Sequence, residues 1–205
     1  KYIEISNTNP DVIYLNQQPA SGAVGTLWKT TDGGLTWNSM PVPPGNSRRM
    51  LLSIDAVDDD IIWMAFPGAA NGLRMYKSVD GGSTWTNITT AMLNNESAHS
   101  IKSIAGTDGG IYYCSNKAVF YRNNTMSDWQ LENAVLLLFF DSNIASPFYR
   151  DGKMRIASYG KGIWESALVE QPAFPVARIG VDKLGQTVIC DIDSFYFEDR
   201  SYLNH

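Results

Sequence analysis

The chain has 205 residues, enough for one large or two small domains. Aromatic residues make up 12% and charged residues only 18%, which excludes a disordered chain and suits a β-rich, well-packed one. The net charge is -5 and no basic block exceeds Arg48-Arg49, so nucleic acid and anionic membrane surfaces are not expected partners.

The chain opens at Lys1, inside what reads as a strand, and is expected to be a piece of a longer polypeptide. Short runs rich in β-branched and aromatic residues then recur at a period of roughly 43 to 48 residues, the range of propeller blades. First strands are expected at residues 2–5, 50–54, 101–105 and 135–139. Second strands fall at 12–15, 61–65, 110–114 and 154–158, and third strands at 27–30, 75–78, 119–122 and 163–166. The first and second strands are apolar almost throughout, as strands covered on both faces are. Residues 89–97 could hold a helical turn. No apolar run is long enough to span a bilayer; the longest is Val135 to Phe140.

A turn motif punctuates the repeat. Thr30-x-Asp32-x-Gly34-x-x-Trp37 and Ser78-x-Asp80-x-Gly82-x-x-Trp85 fit the Ser/Thr-x-Asp-x-Gly-x-x-Trp pattern, the Asp-box or BNR motif. A short carboxylate accepts from the N–H groups of a tight turn, and the hydroxyl adds a further bond. The paired glycines permit positive φ. The tryptophan is expected to fold against its own turn. A fourth strand follows each turn, at 36–41 and 84–89. In the third unit the turn has decayed: Trp129 survives but Met126 stands at the glycine position. The fourth unit lacks the motif. Asp32 and Asp80 therefore read as parts of a folding device rather than as catalytic groups.

From Ala173 the pattern changes. Residues 175–181 and 187–193 alternate around a turn at 183–186 and read as the opening hairpin of a second β domain. The expected division is thus blades over 1–170 (approximately 1–45, 46–95, 96–133 and 134–170), then a linker and first strands over 171–205.

The runs Gly110–Arg122 with Met126-Ser127-Asp128-Trp129, and Asp151–Ser166 with its Tyr159-Gly160-Lys161-Gly162-Ile163-Trp164-Glu165 ending, resemble the last blades of secreted BNR-repeat, sortilin-like propellers of Bacteroidota-type bacteria. Pro175–Ile179 with Leu184–Val188 resembles the start of a PKD-type immunoglobulin-like domain. The resemblance implies an all-β chain of four blade units from a seven-bladed propeller, followed by the beginning of an Ig-like sandwich. It implies export, often by the secretion system that reads a C-terminal signal domain, and kinship of fold with xyloglucanase-type hydrolases, sialidases and sortilin-type receptors. The expected partners are an extracellular glycan or protein, the rest of the parent chain and the secretion machinery.

Chemistry-bearing clusters are sparse. A glycosidase needs two carboxylates across one bond. Asp58-Asp59-Asp60 is the most acidic cluster and lies where a solvated turn explains it. Asp141 and Asp151 flank a loop. Asp191 and Asp193 share a strand face, which suits either Ca²⁺ or plain exposure. Arg48, Arg49, Arg74, Arg122 and Arg150 are scattered, unlike a sialidase cluster. His99 and His205 lack metal-ligand spacing, so no resident metal and no catalytic residue is assigned. Cys114 and Cys190 are expected as free thiols, a disulfide between them remaining open. Trp63, Phe66 and Tyr149, near strand ends, are the candidate ligand contacts, with the 66–72 loop as a binding edge. Three readings follow: a non-catalytic binding or scaffolding segment, a fragment of a glycoside hydrolase, or part of an exported peptidase or a cargo of a secretion system.

Overall fold

The computed structural model describes residues 2–18, 24–45, 49–132, 142–158, 162–171, 179–181 and 197–199. Within them the chain is all-β apart from one 3-10 turn, Ala91–Leu93, inside the expected helical stretch. Three four-stranded antiparallel sheets follow one another in sequence. The first is β1 (Tyr2–Ile5), β2 (Ile13–Gln17), β3 (Thr26–Thr30) and β4 (Asn38–Met40); the second is β5 (Leu51–Ile54), β6 (Ile62–Ala65), β7 (Met75–Ser78) and β8 (Thr86–Asn87). The third is β9 (Ala98–Ser103), β10 (Ile111–Ser115), β11 (Val119–Arg122) and β12 (Gln130–Glu132). A three-stranded sheet closes the series: β13 (Ser142–Phe148), β14 (Lys153–Ser158) and β15 (Gly162–Ala167). Each sheet is a meander whose strand order equals sequence order, and the first strands β1, β5, β9 and β13 adjoin in turn. These are β-propeller blades, with the first strand of each innermost.

Burial follows from that stacking. Every residue of β5, β6 and β10 is buried, because both faces of those strands meet a neighbouring sheet. Three apolar clusters fill the three gaps between blades. Val12, Tyr14 and Leu27 meet Leu52, Ile62, Met64 and Tyr76 in the first. Leu51, Trp63 and Met75 meet Ile101, Ile111, Tyr113 and Phe120 in the second. Tyr112, Cys114 and Tyr121 meet Met154 and Ile156 in the third. Strand β1 departs from the expected pattern: Ile3 and Ile5 are 56% and 52% exposed, because no sheet lies on their side among the described residues.

One element assignment shifts. The strand that pairs with β14 is Ser142–Phe148, with Ala145 opposite Ile156 and Pro147 opposite Met154. Residues 135–139, expected in that role, lie outside the described residues. Strand β16 (Ile179–Val181) falls in the expected hairpin but pairs with β17 (Phe197–Asp199); residues 187–193, its expected partner, lie outside the described residues.

Candidate functional site

The two intact turns are built alike. Thr30 Oγ1 donates to Asp32 Oδ1 at 2.7 Å and accepts the Gly34 N–H at 3.0 Å. Asp32 accepts the Thr36 N–H at 2.9 Å and the Thr36 hydroxyl at 2.5 Å. In the second blade Ser78, Asp80, Gly82 and Thr84 repeat this at 2.7, 2.9, 2.8 and 2.6 Å. Gly33, Gly34, Gly81 and Gly82 all have positive φ, from 67° to 96°. The side-chain bonds from Thr36 and Thr84, then their backbone N–H groups, hold both carboxyls at a pKa of about 2. Thr36 and Thr84 belong to the device although the sequence reading passed over them; their signal was identical placement in both copies.

The tryptophan does more than expected. Trp85 packs on the first blade's Met40 and Val42 side, and its Nε1–H donates to the Pro41 carbonyl of that blade at 3.0 Å. Trp129, only 3% exposed, likewise donates to the Ile88 carbonyl of the second blade at 2.9 Å. The Trp85 indole thus lies on its own turn, where a Cβ on Gly82 would stand 3.6 Å from Cζ2, and also wedges into the preceding blade. Trp37 lies on Gly34 in the same way, but its Nε1–H donates to Gly34 O, 3.0 Å away.

A lysine makes the opposite crossing. Lys29 lies over the Tyr14 ring and reaches Asp60 at 3.7 Å and the Gly81 carbonyl at 3.5 Å, both in the next blade. Lys77 lies over Trp63 and donates to Asn124 Oδ1 at 2.7 Å. In the decayed third turn Asn123 Oδ1 takes over the carboxylate's work, accepting the Thr125 and Met126 N–H groups at 3.1 Å each.

The acidic residues are used the same way. Asp59 accepts hydroxyl bonds from Ser6 and from Thr8, the latter at 2.7 Å, and ties the first blade to the second. Asp58 caps its own turn through the Asp60 N–H. Asp151 and Glu165 pair with Arg155, and Glu165 also with Lys153. Glu170 accepts from Tyr121 and Asn123. Burial raises the pKa of Glu4 and of Glu132, but Glu4 sits on an innermost strand and Glu132 on the outermost strand of another blade, so they do not form a pair across one bond. Of the arginines, Arg74 and Arg122 both donate to carbonyls, of Glu96 and Ile88.

Trp63 and Phe66, expected near a ligand, are 1% and 0% exposed. The Phe66 N–H extends the β6–β7 hairpin through Arg74 O, and its ring meets Tyr76 edge-on, so the strand continues where a loop mouth was expected. The 66–72 loop folds back: Asn71 Oδ1 accepts from the Asn95 N–H and from Arg74. Tyr149 is 38% exposed and its hydroxyl accepts the Ala105 N–H at 3.0 Å, across the third and fourth blades. Its neighbour Phe148 is 43% exposed, with the Arg155 guanidinium 4.0 Å from its ring centre. Cys114 is a fully buried free thiol whose pKa burial raises to about 12. Cys190, Asp141, Asp191, Asp193, Arg48 and His205 lie outside the described residues. No cluster of three His, Cys, Asp or Glu side chains suits a metal among the described residues, and no helix there is long and apolar enough to cross a membrane.

No family model matches this chain, and no curated protein matches it. Solved structures do. A structure of YCF48 bound to D1 peptide shares 18% identity at a TM-score of 0.57, over 83% of this chain and 52% of that one. The GH74 enzyme of Niastella koreensis shares 17% at 0.61, over 81% and 28%, and an ancestral GH74 enzyme 16% at 0.60, over 80% and 22%. The chain therefore spans about half or less of the structures it resembles. The likeness, with the stacked meanders, identifies the fold as that of a β-propeller segment.

Proposed function

We propose that this chain is a binding and scaffolding segment of an exported β-propeller protein, itself non-catalytic, whose partner is an extracellular glycan or protein. The observation that carries the reading is the fate of the carboxylates. Asp32, Asp80, Asp59, Asp151, Glu165 and Glu170 all serve turns, blade junctions or ion pairs. Hydrolysis of a glycosidic bond needs one carboxylic acid and one carboxylate facing a common space. The side chains on offer to a ligand are instead Phe148 and Tyr149, with Arg155 beside them. Exposed rings next to a fixed cation suit stacking on a sugar ring or a peptide side chain. Binding to a panel of immobilised polysaccharides and extracellular proteins, followed by calorimetry, tests this. The Phe148→Ser/Tyr149→Ala double variant is expected to weaken binding at least tenfold. Unchanged affinity, or reducing sugar released by the purified chain, removes the reading.

A second reading is supported by the likeness to two GH74 enzymes. In it the chain is part of a glycoside hydrolase whose carboxylates lie elsewhere. A parent protein that contains this segment and releases no reducing sugar from any polysaccharide would eliminate it.

A further inference from the structure

The first and second blade junctions share one polar layout, and the second alters it at two places. Thr30, Ser78 and Arg122 hold the same position in three blades, opposite Ile13, Ile62 and Ile111. In the first two blades that residue is a hydroxyl that works inside its own turn, on Asp32 and Gly34 or on Asp80 and Gly82. In the third it is a guanidinium, which leaves the turn and donates to the Ile88 carbonyl of the second blade at 3.1 Å. The lysine crossing changes as well. The N–H groups of Gly81 and Asn124 donate to the carbonyls of Asp60 and Asp108, each at 2.9 Å, so Asp108 stands where Asp60 does. Lys29 reaches the Asp60 carboxylate. Lys77 meets an amide oxygen instead, Asn124 Oδ1, while the Asp108 carboxylate accepts from Asn124 Nδ2 at 2.9 Å.

Lys77 and Arg122 therefore line one cavity between the second and third blades. It measures about 120 Å³ and is walled also by Trp63, Ile88, Ile111 and Asn124. That is roughly the volume share of four waters, room for one carboxylate or sulfate group. Donors outnumber acceptors there. A guanidinium carries five N–H donors and an ammonium three. Arg122 donates to Ile88 and Lys77 to Asn124, and neither forms an ion pair among the described residues. The acids that act on them from a distance are engaged: Asp55 with the Val57 N–H, Asp108 with Asn124 and Asp128 with the Trp129 N–H. Burial lowers the pKa of Lys77; Asp55 and Asp108 raise it, and Arg122 lowers it again. Two like charges thus share a partly desolvated space. An oxyanion between them supplies acceptors and offsets their repulsion.

We propose that this cavity binds a small oxyanion, a carboxylate or a sulfate, held by the Arg122 guanidinium and the Lys77 ammonium. The first junction offers no such site: its matching pair is Lys29 and Ser78, with Asp60 already on the lysine. The site is separate from the Phe148 and Tyr149 rings and stands whether or not those rings bind a glycan or protein.

The test titrates the 205-residue protein with sodium sulfate, sodium acetate and sodium glucuronate, at an ionic strength held constant with sodium chloride. The Arg122 Nε–H and Asn124 side-chain amide signals are followed by NMR. Saturable shifts of both are expected with sulfate or acetate. Arg122→Thr, which restores the residue type of the first blade at that position, is expected to weaken binding at least tenfold, and Lys77→Met likewise. Lys117→Met, at an exposed lysine of the third blade, is expected to leave it unchanged. Glucuronate binding tighter than acetate marks a group carried on a sugar, and glucuronate no tighter than acetate marks a free anion; both sustain the site. Shifts in the unaltered protein that never saturate overturn the proposal without recourse to any variant. Binding that survives both Arg122→Thr and Lys77→Met, or that falls equally in Lys117→Met, overturns it too.

Discussion

The leading faces of the first and second blades differ in burial, not in chemistry. Ile3, Ile5, Leu15 and Trp28 match Leu52, Ile54, Met64 and Tyr76 place for place. The second set is 0–6% exposed, whereas Ile3 and Ile5 are more than half exposed. An apolar stripe on a strand therefore specifies that something must cover it, while the neighbour decides whether anything does. The contrast also shows what joins blades: an apolar gap, an indole driven backward and a lysine driven forward. The apolar gap and the indole rings contribute by area; the indole N–H and the lysine fix register and direction.

The sharpest way to break the comparison is to remove the wedge on each side of it. Trp129→Ala empties a site that is 3% exposed and ringed by Tyr113 and the second blade. The expected cost is about 3–5 kcal/mol. Trp37→Ala removes a half-buried ring bonded only to its own turn, and the expected cost is about 1 kcal/mol, from partial burial alone. Urea unfolding of the two variants checks this. Equal losses would mean that Trp37 is already covered in solution.

The polar content of a junction is a smaller quantity. Ser53 and Ser103, both buried, bond side chain to side chain at 3.0 Å across the second and third blades, and Ser53 Oγ also accepts the Ser103 N–H at 2.9 Å. Ser53→Ala leaves that N–H buried without its acceptor and is expected to cost about 1–3 kcal/mol. Glu4, at the corresponding place on the first blade, takes a hydrogen bond from Tyr2 instead. Stability unchanged in Ser53→Ala would mean that water replaces the hydroxyl and that the junction tolerates solvent.

What could be read in advance divides along the same line. The Asp-box turn was legible because its bonds close within a few residues: Asp32 to Thr36 and Ser78 to Gly82 are each four residues apart. The meander order was legible from spacing. The destination of the indole was not, since Trp85 finds its carbonyl 44 residues back and Trp129 finds its own 41 back. Asp59 looked like a solvated acid because its partners, Ser6 and Thr8, belong to another blade. Trp63 and Phe66 looked like mouth aromatics because each sits near a strand end, yet the next blade covers one and Tyr76 the other. Short-range chemistry is written in the sequence; the use of a side chain at a blade junction appears only once the blades are stacked.

The smallest expected effect tests the part common to both blades. The carboxyls of Asp32 and Asp80 lie below the ordinary 3.8, at about 2; burial would raise them, so the hydrogen bonds account for the shift. A folded pKa below the unfolded one means that the unfolded chain binds protons first. The stabilisation is therefore complete above about pH 4 and is lost as pH falls toward 2. Thr84→Val removes the hydroxyl at 2.6 Å, the largest cause, and keeps the N–H at 2.8 Å. The Asp80 pKa should then rise part of the way to 3.8 while that of Asp32 stays in place, as carbon-detected titration of the two carboxyls would show. Thr36→Val should do the reverse. If either variant moved both carboxyls, the turns would be coupled through the Lys29 crossing at Gly81 rather than acting as separate devices, and the first two blades would have to be treated as one cooperative unit.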